Sequence, residues 1–160
     1  HGGSIRVYVR RPVGGIAVDQ SVDEFIKQEE EFGLFNFHTY KDFGKKVEQL
    51  RKNVMKNIKS LKQGHNIIAI YGAPAKATTA LNYFGISSQQ ISYAIEDNPL
   101  KIGKYIPGTG IPVKSKGYCD EVVPEIIIVM AWNFFEEIKK NNQPLIDKGV
   151  TFINIKDLYE

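Results

Sequence analysis

Between Ser4 and Arg10 the apolar residues Ile5, Val7 and Val9 alternate with Arg6, Tyr8 and Arg10, the period-two pattern of a half-buried strand. Pro12, Gly14 and Gly15 end it. Ser21, with Glu24 three residues on, has the form of a capping box. The helix it opens is expected to turn Val22, Phe25, Ile26 and Phe32 inward and to stop at Gly33. A longer helix follows, with Thr39 expected as its cap. Its stripe of Tyr40, Phe43, Val47, Leu50, Val54, Ile58 and Leu61 recurs at steps of three and four until Gly64 closes it. The opposite side, with Lys45, Lys46, Arg51, Lys52, Lys56 and Lys59, reads as a solvated face.

The central stretch is Asn66 to Phe84, NIIAIYGAPAKATTALNYF. Its β-branched run from Ile67 to Tyr71 predicts a buried strand that ends at Gly72. Ala77, Ala80, Leu81 and Phe84 then mark one face of a helix. Residues 91 to 95 predict another strand, ending in Glu96, Asp97, Asn98 and Pro99. A loop rich in glycine and proline occupies residues 99 to 112. Residues 115 to 123 match no pattern. Val122 to Ala131 contains the continuous apolar run EIIIVMA, which suits a strand covered on both faces. Asn133 is expected to cap a helix with Glu136 and Glu137 in its first turn and Lys139 and Lys140 further on, and Pro144 interrupts or restarts it. Thr151 to Ile155 is the last predicted strand. Strands alternating with helices predict one α/β domain over residues 1 to 160, three layers deep, with a mostly parallel sheet.

Composition narrows the function classes. A chain of 160 residues, 42% hydrophobic and 24% charged, suits one soluble domain with a true core. A net charge of +3, spread along the chain, gives no basic patch for nucleic acid. The single cysteine, Cys119, excludes an internal disulfide and fits a reducing cytoplasm. No apolar run approaches the roughly 18 residues of a membrane span, and no signal peptide is visible. His1 leads directly into a strand pattern, as expected of a piece of a longer protein.

The strand, turn and helix at residues 66 to 84 place backbone N–H groups and a helix N-terminus together, an arrangement that receives anions. A dinucleotide fingerprint needs G-x-G-x-x-G/A followed by an acid about 20 residues on. Gly72 and Ala77 fit its first and last positions and Glu96 and Asp97 the acid, but Pro74 replaces the second glycine and lacks an N–H. NAD is therefore disfavoured. Lys76 in the first helical turn opposes the macrodipole by roughly 0.3 to 1 kcal/mol, which points to a bound anion, and Thr78 and Thr79 add hydroxyls. The alternative is a plain tight turn with a solvated lysine. His38 and His65 have no metal-like spacing, and Cys119 has no nearby histidine to form a nucleophilic pair. Trp132 and Asn133 stand at a strand end, where open α/β sheets place their crevice, or else serve as core and cap.

Four segments in order, HGGSIRVYV, YGAPAKATTALNYFGI, EDNPLKIGKYIPGTGIPV and AWNFFEEI, resemble the C-terminal domain of the sugar C-methyltransferases over nearly the whole chain. The resemblance implies a Rossmann-like domain of an S-adenosylmethionine-dependent enzyme that C-methylates a deoxysugar linked to a nucleoside diphosphate. It further implies upstream domains that bind zinc and the methyl donor and carry the catalytic histidine and tyrosine. This domain alone is then catalytically silent and holds no cofactor or metal. Its implied substrate-binding residues are Gly72, Ala73, Lys76 and Thr78; Asp97, Asn98 and Lys101; and Trp132 and Asn133, with Tyr105, Pro107 and Gly108 shaping a loop. Ala77 departs from the glycine usual in the family's GAPAKG, a change that still permits close helix–strand packing. The rival readings are a nucleotide-binding domain of another sugar-modifying enzyme, such as an NAD-dependent one, and a non-catalytic binding or assembly domain.

Overall fold

The computed structural model describes residues 3–11, 15 and 17–160. The chain divides into two compact units, His1–Val47 and Glu48–Glu160.

In the first unit, α1 (Gln20–Phe32) ends at Gly33, whose φ of 81° is the left-handed C-cap expected there. Its N-cap is Asp19, whose carboxylate accepts from the Ser21 N–H, so the Ser21–Glu24 capping box does not form. The helix α2 (Phe37–Gly64) begins in this unit and continues into the next. Asn36, not Thr39, accepts from the first-turn N–H of His38. Two further expectations fail. Residues 4 to 10 form no strand and are exposed, because alternation makes a strand only where a neighbouring strand takes its backbone groups, and none does so among the described residues. Pro12 and Gly14, expected to end that strand, lie outside the described residues. The apolar stripe of α1 is not turned inward either: Val22, Phe25, Ile26 and Phe32 are all exposed, as are Tyr40 and Phe43 of α2.

The second unit is the α/β body. Its strands β1 (Ile68–Tyr71), β2 (Tyr93–Ile95), β3 (Val113–Lys114), β4 (Ile126–Val129) and β5 (Thr151–Asn154) form one sheet in the order β3-β2-β1-β4-β5, parallel throughout. The remaining helices are α3 (Ala75–Phe84), α4 (Tyr118–Glu121), α5 (Phe135–Asn141) and α6 (Gln143–Asp147). Strand β3 and helix α4 lie in or beside segments without a readable pattern, being too short to show periodicity. Every residue of β1 and β4 is buried, as continuous Ile/Val/Ala runs require when both faces are covered.

Alternation sends the residues of these strands to two cores. Ile68, Ile70, Ile126, Ile128 and Ala94 meet Val54 and Ile58 of α2 and Ala77, Leu81 and Phe84 of α3. On the other face Ala69, Tyr71, Tyr93, Ile127 and Val129 meet Cys119 of α4 and Leu145 of α6, with Phe135 and Ile138 of α5 alongside. The result is a three-layer, Rossmann-like α/β/α body. Asn53 and Asn57 of α2 also donate to the carbonyls of Tyr159 and Leu158, which ties this helix to the end of the chain.

Ile128 is 1% exposed, so Ile128→Ala removes methylenes from a filled site and is expected to cost about 2–5 kcal/mol in chemical denaturation. Phe25→Ala, at a side chain 51% exposed, is expected to change stability by no more than about 0.5 kcal/mol in the same measurement.

Candidate functional site

The order of the strands sets the place. β1 connects outward through α3 to β2, whereas β4 lies on its other side, so the connections diverge beyond the carboxyl ends of β1 and β4. At that edge β1 turns at Gly72, with φ of 89°, and the Gly72 N–H donates to the Ile95 carbonyl at 2.8 Å. A Cβ there would stand 3.5 Å from both the Ala131 Cβ and the Pro74 ring, and the left-handed backbone disfavours any side chain. Pro74 is the N-cap of α3; with no polar side chain to offer, it leaves the first-turn amides without a side-chain cap.

Two groups of side chains flank this turn. On the α3 side, the Lys76 Nζ lies 3.6 Å from the centroid of the Trp132 ring, and the Lys156 Nζ is 6.0 Å from the same ring. Trp132 opens a 3₁₀ turn, Trp132–Phe134, directly after β4. Among the described residues Lys76 is in no ion pair with a carboxylate. A half-buried indole ring thus holds an ammonium group that has no carboxylate partner among the described residues.

On the other side a carboxylate network closes the turn from behind. Glu96, directly after β2, accepts from the Ala73 N–H at 3.1 Å and from the Lys101 Nζ at 3.0 Å, and Lys101 also donates to the Ala73 carbonyl. Burial pushes the Glu96 carboxyl upward and is the largest single influence. The hydrogen bonds from Lys101 and from the Ala73 and Asn98 amides together outweigh it, so the net direction is downward. Next to it, the Tyr71 hydroxyl donates to Asp97 at 2.8 Å; burial first, and then this bond to a carboxylate, push the phenol up to about 12. Tyr71, Glu96 and Asp97 line a cleft of about 330 Å³ with Ala131, Phe134, Glu137, Ile138 and Asn141. A larger hollow, about 540 Å³, lies among Lys56, Lys59, Lys62 and Gln90, residues that precede β1 and β2. It belongs to the opposite edge of the sheet, and the chemistry does not follow its size.

The ten residues singled out in the sequence are thus partly gathered. Gly72, Ala73, Lys76, Asp97, Lys101 and Trp132 meet at the carboxyl edge. Lys101 is engaged with Glu96 and serves as a brace. Asn98 uses its side chain on the Leu100 N–H, holding its own turn. The Thr78 carbonyl and the Pro107 carbonyl both accept from the Asn82 amide, which pins the loop to α3. Tyr105 is exposed and pairs through its backbone with Pro112. Asn133 is exposed within the 3₁₀ turn and does not cap α5, whose N-cap is Phe134 without a side-chain bond. The insertion of that turn displaces the helix start by one residue. Lys156 had no sequence signal. Tyr71 was legible only as the end of a strand. Among the described residues no three His, Cys, Asp or Glu side chains gather as a metal site, and no helix is long and apolar enough to cross a membrane.

Residues 1–155 match the C-methyltransferase C-terminal domain family. The chain belongs to that family. The curated C-methyltransferase NovU of Streptomyces niveus is 30% identical to it over 153 residues, 96% of this chain and 36% of the relative. The domain therefore spans about a third of the length of the relative it matches. The order of the quoted segments carries the family likeness, and the structure brings the second and fourth of them together through Lys76 and Trp132.

Because Glu96 has its carboxyl held downward, its ionised form stabilises the fold above the ordinary carboxyl range, roughly pH 4.3, and this contribution is lost as the pH falls through the folded value. Glu96→Gln is expected to cost about 1–3 kcal/mol at pH 7 in urea denaturation, and the gap from the parent should narrow as the pH falls below the ordinary carboxyl range.

Proposed function

We propose that this domain forms the substrate-binding part of an S-adenosylmethionine-dependent methyltransferase that C-methylates a deoxysugar carried on a nucleoside diphosphate. The observation that carries the reading is Lys76, stacked on Trp132 and, among the described residues, without a carboxylate partner, at the divergence point of the sheet. A diphosphate is the part of such a substrate that this ammonium group would recognise. Family membership and the relative's printed activity, C-methyltransferase, support the reaction class.

On this reading, the first-turn amides of α3 and Lys76 meet the phosphate charge, with Thr78 and the Gly72–Ala73 turn beside them. Asp97, whose carboxylate accepts from Tyr71, lines the adjacent cleft, and the family resemblance adds Asn98, Lys101, Tyr105, Trp132 and Asn133 as further substrate contacts. The zinc site, the methyl-donor site and the general base belong to preceding domains of the same cytoplasmic chain, and this domain alone is inactive. A base there would remove the proton beside the sugar ketone, leaving a carbanion able to attack a methyl group. S-adenosylmethionine supplies that electrophilic methyl group. The domain's contribution is to hold the sugar nucleotide rigidly enough for carbon and methyl to meet in line.

Two features weigh against the NAD-dependent alternative. Pro74 occupies the position of the close-approach glycine, and Glu96 is spent on the Ala73 N–H and Lys101, not left open to a ribose. No nucleic-acid partner is proposed.

In the complete enzyme, Lys76→Ala is expected to weaken binding of a nucleoside-diphosphate sugar roughly tenfold, about 1.4 kcal/mol, in a calorimetric titration. The melting temperature should stay nearly unchanged, and NAD should give no heat with either protein. Equal affinity in the variant removes Lys76 from the site.

A further inference from the structure

The unit His1–Val47 presents an anomaly. None of its described residues is buried. Of the nineteen exposed large hydrophobic side chains among the described residues, thirteen lie between Ile5 and Phe43. They are not scattered. Val22, Phe25 and Ile26 share the apolar stripe of α1, and Phe32 and Phe35 follow at its end; Phe37, Tyr40 and Phe43 continue along the first turns of α2. A contiguous apolar face of this kind on a helix is the mark of a surface that another body covers. Its framework is already fixed. Gly33 caps α1, and the Tyr40 hydroxyl donates to the Leu34 carbonyl at 2.6 Å, holding the turn between the two helices.

We infer that this face docks onto the region of the same polypeptide that precedes the domain. The inference rests on the reading that the chain is the C-terminal portion of a longer methyltransferase; the family is a C-terminal domain, and this chain spans 36% of its relative. Charge argues for that occupant over a second copy. α1 carries Asp23, Glu24, Glu29, Glu30 and Glu31 against the single Lys27, so two such helices set side by side would bring like charges together. The covering surface is accordingly an apolar patch with a rim of lysine or arginine. Apolar burial would supply the affinity, and the acidic rim of α1 would set the orientation.

Hydrogen–deuterium exchange on the complete polypeptide and on the isolated 160-residue chain tests this without any sugar nucleotide, so its outcome is separate from that of the substrate reading. The amides of Gln20–Phe32 are expected to exchange at least tenfold more slowly in the complete polypeptide. Phe25→Asp should abolish that protection while leaving exchange in β1 and β4 unchanged, which shows that the variant is folded. Equal exchange of α1 in the two proteins overturns the inference. So does a dimeric mass of the isolated chain in sedimentation that Phe25→Asp converts to a monomer, since a second copy would then be the occupant.

Discussion

The structure depends on β1 being covered from every side. Its four residues lie between β2 and β4, with α2 and α3 over one face and the α4–α6 layer over the other, so no polar side chain is tolerated before Tyr71. Burial of this kind forces the chain to leave the sheet abruptly, and Gly72 makes the exit in a left-handed conformation that brings its backbone against Ala131. The position of everything at the carboxyl edge follows from that exit. It sets where α3 begins, and so where Lys76 stands relative to the end of β4.

The same turn separates two electrostatic environments. On one side a lysine rests on an indole ring. On the other a carboxylate has been drawn into the turn itself, where the Ala73 N–H and Lys101 hold it. This division explains why the segment resembles a dinucleotide loop without suiting one. The acid that a dinucleotide site would leave facing a ribose here braces the backbone, which makes the turn rigid and directs the available positive charge toward the Trp132 side.

Much of the α/β body was legible. The Ile/Val runs of β1 and β4, the glycine exit at residue 72 and the helical stripe of α3 follow from local rules that burial reinforces. The amino-terminal unit read less well for a physical reason. Periodicity reports which face is apolar but not what covers it, so the stripe of α1 and the alternation at residues 4 to 10 predicted burial that this chain does not itself provide. Caps were misplaced for a similar reason: Asp19 and Asn36 accept from the amides of Ser21 and His38, so both helices are entered before the expected caps Ser21 and Thr39, and only the geometry of the entering chain selects between them.

The sequence by itself determined the α/β class, the central strand and its glycine exit, the mismatch of Pro74 with a dinucleotide, and the family likeness of the segments. These rest on neighbours along the chain. Tertiary structure alone decided that Lys76 lies on Trp132, 56 residues away, that Glu96 reaches back to Ala73, and that Lys101 is a brace rather than a free cation. Those pairings depend on the order of strands in the sheet, and strand order is a property of packing that no local pattern encodes.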